Sequence, residues 1–285
     1  MKIKISTDST ADIPAELCEK YNISVLPLPI LIDGKEHYDG IDITTEQMYK
    51  VLETAKELPT TSQVSIEQYS ELYTRIWKEG YTDLVHTTIN SKGSGTYQAA
   101  VLSRNLFYEE HPEAKDFHIH LIDSMTYSMG YGMAVVEGAQ LAEQGADAEA
   151  VAAHIREFCE HSRPVFISLD LKCVKKSGRV SPAAAFVGDA LGLKPMFSFE
   201  DGEAKILSKA RGEANAIKAL VDLCMKERKP HTSYVIVHGN NDEAAAKLRE
   251  AVAAVIDQPP MADYYVGCVI SIHAGPNMIG ILYRK

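Results

Sequence analysis

What most constrains this chain is an alternation in its first half, where short apolar runs of strand length are each followed by a helical pattern. Runs of that kind are buried when they lie side by side as a parallel sheet, joined by helices that cross over it. Lys2 to Ser6, Leu84 to Ile89 and Ile119 to Ile122 read as strands, Ile23 to Ile32 as an extended run, and Pro14 to Tyr21 as a helix with Asp12 nearby as a cap. Asp33-Gly34 marks a turn. Thr44 to Gln47 and Ser65 to Gln68 have capping-box spacing, in which the two end residues satisfy each other's backbone N–H groups, so a helix is expected after each. Leu58 to Gln63 lies between these helices as a loop.

After an Ala-rich helical stretch from Met129 to His161 the texture changes. Strands are expected at Val165 to Leu169, Pro195 to Phe199, Tyr234 to Val237, Tyr265 to Ile272 and Ile279 to Tyr283, with a hairpin signal at Glu200-Asp201-Gly202. At about 150 residues per domain, 285 residues hold two domains. The expected fold class is α/β: residues 1–160 as an α/β domain with a mostly parallel sheet, and 161–285 as an α+β domain that closes a ligand site. No internal repeat or low-complexity linker separates them, so a ligand tunnel is expected between or within the two.

Composition excludes several function classes. Hydrophobic residues make up 46% and charged residues 24%, as in an ordinary globular protein. Lys and Arg number 29 against 39 Asp and Glu, a formal net charge of −10, and the scattered positive residues disfavour nucleic acid as a partner. The apolar stretch Ile23 to Ile32 is too short to span a bilayer and is interrupted by Pro27 and Pro29. The amino terminus reads as a strand rather than a secretion signal, so a cytoplasmic protein without integral membrane association is expected. Five widely spaced cysteines, Cys18, Cys159, Cys173, Cys224 and Cys268, read as reduced thiols, with neither a disulfide framework nor a zinc knuckle.

Three turns share one design, in which a strand ends, hydroxyl residues follow and a helix begins. In Asn90 to Tyr97, Gly93 and Gly95 permit close backbone approach, while the helix N-terminus presents N–H groups and the positive end of its dipole. Ser94 or Thr96 either caps that helix or helps to hold an anion. Thr60-Thr61-Ser62-Gln63 offers further hydroxyls, and Asp123-Ser124 is the third turn. Three such turns at strand carboxyl ends, where α/β sheets bind ligands, favour one shared polar site.

The known nucleotide loops do not fit: Gly93 to Thr96 lacks the Gly-Lys-Ser/Thr ending of a P-loop, and Gly130-x-Gly132 has Val135 in place of a third glycine. The Gly-x-Ser-x-Gly elbow of a serine hydrolase is missing as well. His118 and His120 share one side of a strand and read as surface residues of an edge strand, so no metal is assigned. Asp8, with Ser9 and Thr10, reads as a turn cap. The second half adds positive charge at Lys175-Lys176-Ser177-Gly178-Arg179, Lys209 and Arg211. Its two strand-end histidines, His238 and His273, are either structural or part of an anion clamp.

Asp8-Ser9-Thr10-Ala11-Asp12-Ile13-Pro14, Pro59 to Gln63, Ser94-Gly95-Thr96-Tyr97, Ser177-Gly178-Arg179, Lys209 with Arg211, His238-Gly239 and His273-x-Gly275-Pro276 together resemble the DegV family of bacterial fatty-acid-binding proteins. The motifs occur in order from residue 7 to residue 280. The resemblance implies one long-chain fatty acid in a buried tunnel, its carboxylate held by Thr61, Ser62 and Ser94 with Gly95 alongside. Ser124, Arg211 and His273 are expected near the head group or facing a partner. Relatives of this kind present the acid to a separate fatty acid kinase, so the chain is expected to be a monomeric carrier with no catalytic residues and no cofactor beyond the bound acid. It departs from the family pattern at Val64, Gly93, Ser177 and Asn277, none of which removes a head-group hydroxyl. The competing readings are a hydrolase or phosphotransferase using Ser94 or Ser124 with His273 or His238, and a scaffold whose cleft binds another protein.

Overall fold

The computed structural model describes residues 2–179 and 192–285. The chain forms two compact units, Met1–Ile30 with Thr61–Glu160, and Leu31–Thr60 with His161–Lys285.

The first unit is built on a parallel sheet of four strands, β1 (Ile3–Asp8), β2 (Ser24–Leu26), β6 (Asp83–Thr88) and β7 (His118–Asp123), in the order β2-β1-β6-β7. Helices α1 (Ala15–Lys20), α3 (Ile66–Lys78), α4 (Thr96–Glu110), α5 (Met129–Glu143) and α6 (Ala148–His161) connect or follow these strands. Because the strands are parallel, their carboxyl ends lie along one edge, and with them the turns that begin at Asp8, Ile89 and Ser124. Every residue of β6 is buried. Inside the sheet, Ser6 Oγ lies 2.7 Å from His86 Nδ1, and the Tyr69 hydroxyl lies 3.1 Å from Nε2. Burial pushes that imidazole down to about 3, so it is neutral near pH 7 and exchanges hydrogen bonds with two hydroxyl groups.

Leu31–Thr60 leaves the first half of the sequence to join the second unit. It carries β4 (Lys35–Tyr38) and α2 (Thr45–Thr54), and β4 joins a three-stranded sheet with β3 (Pro29–Ile32) and β5 (Thr60–Thr61) in the order β4-β3-β5. The β3–β4 turn holds Asp33 and Gly34 at φ 48° and 78°, the left-handed region where glycine is at home. A division near residue 160 alone therefore omits an excursion that tertiary bonds fix: the Tyr49 hydroxyl donates to Val266 O at 2.7 Å and Asn240 Nδ2 to Glu53 Oε1 at 2.6 Å.

The remainder of the second unit is a mixed sheet of β8 (Ser162–Ser168), β9 (Leu193–Glu200), β10 (Glu203–Arg211), β11 (Tyr234–His238), β12 (Ala262–Tyr265) and β13 (Met278–Arg284), in the order β10-β9-β8-β13-β11-β12. Only β11 and β12 pair in parallel; the other described pairs are antiparallel. Helices α8 (Glu213–Glu227) and α9 (Asp242–Ala253) bury Leu220, Cys224 and Leu248 against Val165, Ile236 and Ile281 of the sheet. The shorter helices α7 (Lys172–Lys176) and α10 (Cys268–Ala274) complete this unit among the described residues.

Helix α10 corrects the strand expected at Tyr265 to Ile272: β12 ends at Tyr265, and the apolar run that follows is helical from Cys268. Cys268, Val269, Ser271, Ile272 and Ala274 are all buried, and a short helix buried on most sides shows no helical periodicity in its sequence. The strand start is broken by Gly267, which begins the helix in extended conformation.

Candidate functional site

The site grows from the helix ends. Helices α2 and α3 both form the capping boxes their sequences announce: Thr44 with Gln47, and Ser65 with Gln68. Helix α4 differs, since Gly95 stands at its N-cap and makes no side-chain cap. Ser94 Oγ, half-buried, accepts from the Thr96 N–H at 3.3 Å and lies 2.8 Å from Thr96 Oγ1. The N-terminal turn thus combines the positive end of a helix dipole with two hydroxyls, a combination suited to an anion.

Two other loops are joined to this turn. Gln63 lies over Gly95 so closely that a Cβ on residue 95 would come within 1.9 Å of Gln63 Oε1, and the Val64 N–H donates to Thr96 Oγ1 at 3.3 Å. The Gln63 side chain thus rests against Gly95, and Thr61 and Ser62 stand on the segment leading into that contact. Ser62 N–H donates to Pro29 O at 3.0 Å; Thr61 is half-buried and the Ser62 side chain exposed. On the other side, Asn90 N–H donates to Thr126 O at 3.2 Å and Asn90 Nδ2 to the Tyr127 hydroxyl at 2.9 Å, while that hydroxyl sits where a Cβ on Gly93 would intrude. Asp123 Oδ1 accepts from both the Ser91 and Met125 N–H groups at 3.1 Å. Three turns that look separate in sequence are thus joined through the Asn90–Thr96 segment.

Ser124 has a different task. It is buried, and its hydroxyl donates to Thr126 O and accepts from the Thr126 N–H, each at 3.2 Å. It holds the turn that supports Asn90. The loop ends at Ser128, whose φ of 55° with ψ of −149° is a strained conformation for a residue with a side chain, and its hydroxyl donates to Asp12 Oδ2 at 2.5 Å.

Sequence reasoning underestimated Asp8. Its buried carboxylate accepts from the Thr10 N–H at 3.1 Å, the Thr10 hydroxyl, the Tyr131 hydroxyl at 2.7 Å and the Ile89 N–H at 2.7 Å. Burial raises its pKa, while these four donors act in the opposite direction. Ile89 opens the Ser94 turn and Tyr131 lies in the first turn of α5, so one carboxylate ties that turn to α5. The cap at Thr10 was legible in sequence; the partners 81 and 123 residues away were not.

Arg211 and His273 belong to the second unit. Arg211 is exposed at the end of β10. His273 is half-buried on α10, and burial, with a smaller push from the positive Arg179, lowers its pKa to about 4. His238 is fully buried; Arg249 Nη2 donates to its Nε2 at 2.8 Å, which places the ring proton on Nδ1, 3.0 Å from Gly239 O. Its Nε2 also lies 3.3 Å from Asp263 Oδ1, so both ring nitrogens are engaged within the fold. Among the described residues of the first unit no histidine bonds to Ser94 or Ser124; Ser6 meets His86, which is enclosed in the sheet and too weakly basic to activate a nucleophile. Among the described residues no three His, Cys, Asp or Glu side chains gather as a metal site, and no helix is long and apolar enough to cross a membrane.

Comparison with known proteins extends these local features to the whole chain. A family model described as "Uncharacterised protein, DegV family" matches residues 2–285. A DegV domain-containing protein of Caldanaerobacter subterraneus is 32% identical over 287 residues, covering 100% of this chain and 99% of that protein. The solved structure of a DegV family protein from Thermus thermophilus, described by its fatty acid binding, matches at TM-score 0.87 and 29% identity, with 100% of both chains covered. A Thermotoga maritima protein described as revealing a fatty acid binding function matches at 0.84 and 26%, again over 100% of both chains. On a match of this length, in sequence and in fold, the chain belongs to the DegV family.

Proposed function

We propose that this protein binds a long-chain fatty acid without transforming it and carries the acid to a kinase that phosphorylates the carboxylate. The observation that carries the reading is the start of α4, where Gly95 offers no capping side chain, the Ser94 and Thr96 hydroxyls gather, and Val64, next after the Thr61–Gln63 segment, donates to Thr96 Oγ1. The fatty acid binding described for the Thermus thermophilus and Thermotoga maritima proteins supports the class of ligand. In this reading Thr61, Ser62 and Ser94 donate to the carboxylate, with Gly95 alongside at the helix N-terminus. In the same reading Ser124 steadies the turn behind Asn90, and Arg211 and His273 of the second unit serve recognition of the kinase.

The division of labour follows from magnitudes. At roughly 0.8 kcal/mol per buried methylene, a dozen methylenes in a tunnel contribute about 10 kcal/mol before ordering costs. The tail therefore supplies affinity, and the head group supplies orientation. A carboxylate held by neutral hydroxyls and N–H groups, rather than locked in a buried salt bridge, keeps its charge and its oxygens for a phosphoryl donor.

Ser94→Ala and Thr61→Ala are each expected to weaken binding by about 1–3 kcal/mol, the range for a buried group that loses its hydrogen-bond partner, with the fold retained. Titration with a fluorescent long-chain acid, alongside circular dichroism, measures both. Wild-type affinity in the two variants would remove these residues from the site.

A further inference from the structure

The second unit carries a cleft apart from the hydroxyl turns. It encloses about 480 Å³ where the outward side of α2 meets the loop after β11 and the end of β12. One wall is aromatic. Tyr49 is buried with its hydroxyl already donated to Val266 O, whereas Tyr265 is 50% exposed, its ring centroid 6.3 Å from that of Tyr49. His238 packs edge-on against Tyr265 at 4.3 Å between ring centroids, so the exposed ring is held from behind by a buried one.

The charge around this wall is unbalanced. Glu46 is paired with Lys50 at 2.7 Å, the cleft's own cation. The hydrogen-bond partners of Glu53 and Asp242 are neutral: Asn240 Nδ2 donates to Glu53 Oε1, and the Tyr265 hydroxyl to Asp242 Oδ1 at 3.1 Å, while Lys50 and Arg249 act on them through space. Arg249, the nearby guanidinium, already grips both oxygens of Asp263. Two carboxylates thus each keep one oxygen for an outside donor, beside an exposed aromatic ring and in a cleft of small-molecule size.

We propose that this cleft binds an organic cation through a guanidinium group. The planar ion stacks on Tyr265 and donates to Glu53 and Asp242; its fork matches carboxylate oxygens, and its weak hydration lowers the cost of leaving water. A guanidinium can reach the cleft on a free small molecule or on an arginine side chain of another polypeptide.

Calorimetric titration of the full-length protein with agmatine, with a blocked Gly-Arg-Gly tripeptide and with neutral butylurea separates the two sources. Binding of either guanidinium probe with a Kd below about 1 mM, and none of butylurea, is expected. Agmatine alone points to a free cation; the tripeptide alone points to a partner's arginine. The Glu53→Gln, Asp242→Asn double variant should weaken the responding probe by about tenfold or more, and Tyr265→Ala by a similar factor, while Tyr265→Phe keeps the ring and the binding. Fatty acid uptake in these variants should match wild type, which shows that they fold and separates this site from the proposed carrier function. Silence of both guanidinium probes, or equal binding by the double variant, overturns the proposal.

Discussion

Asp8→Ala is expected to destabilise the first unit by about 3–5 kcal/mol, measured as the loss of unfolding free energy in urea. The substitution removes the shared acceptor of four donors and leaves the N–H groups of Thr10 and Ile89 and the hydroxyls of Thr10 and Tyr131 without it in a space closed to water. The Thr10 and Tyr131 hydroxyls, 2.7 Å apart, can pair with each other, but the two N–H groups and one hydroxyl proton are left without an acceptor, which is why the cost exceeds that of one hydrogen bond. Tyr131 keeps its proton in this setting, because burial and the adjacent carboxylate both raise its pKa. Asp8→Asn keeps one acceptor oxygen and should recover part of the loss. Since Ile89 begins the turn that carries Ser94, Asp8→Ala should also weaken acid binding. An alanine variant within about 1 kcal/mol of wild type would show that water replaces the carboxylate and that the network is not a structural anchor.

The second large effect is expected at Gly239. A Cβ there would lie 1.6 Å from Pro276 O and 2.5 Å from Pro276 C, and both obstacles are main chain rather than a side chain able to swing away. The approach is fixed by hydrogen bonds on both sides: Gly239 N–H to Met278 O and Asn240 N–H to Pro276 O, each at 2.8 Å. Gly239→Ala must therefore separate two chain segments and break these bonds, at a cost of about 3 kcal/mol or more in the unfolding of the second unit. A melt unchanged from wild type would contradict the close approach. The His238-Gly239 and Gly275-Pro276 motifs thus have a packing explanation of their own, apart from any contact with a ligand: the glycine admits the proline segment, and the histidine locks Arg249.

These two positions show what sequence could and could not tell. Local features were legible: four residues suffice for each capping box, and Asp33-Gly34 fixes its turn, because the interacting groups are neighbours in the chain. The parallel sheet followed from its alternating pattern. Helix α10 was hidden because uniform burial erases periodicity. The excursion of Leu31–Thr60 was hidden because only tertiary bonds such as Tyr49 to Val266 assign it. The hydroxyl turns were visible one by one, and their convergence was suggested by position at strand ends; the means of convergence, Gln63 over Gly95 and Asn90 on Thr126, depends on long-range geometry. Ser124 illustrates the same limit, for its residue type fits a ligand contact while its bonds are those of a turn support.

Binding of a fatty acid is tested most directly by what the protein carries out of the cell that makes it. Protein purified without added lipid, extracted with organic solvent and analysed by mass spectrometry, should release about one long-chain fatty acid per chain, since a tail worth about 10 kcal/mol survives purification. A clean extract, from protein that also takes up neither palmitate nor oleate when they are supplied, would contradict the account.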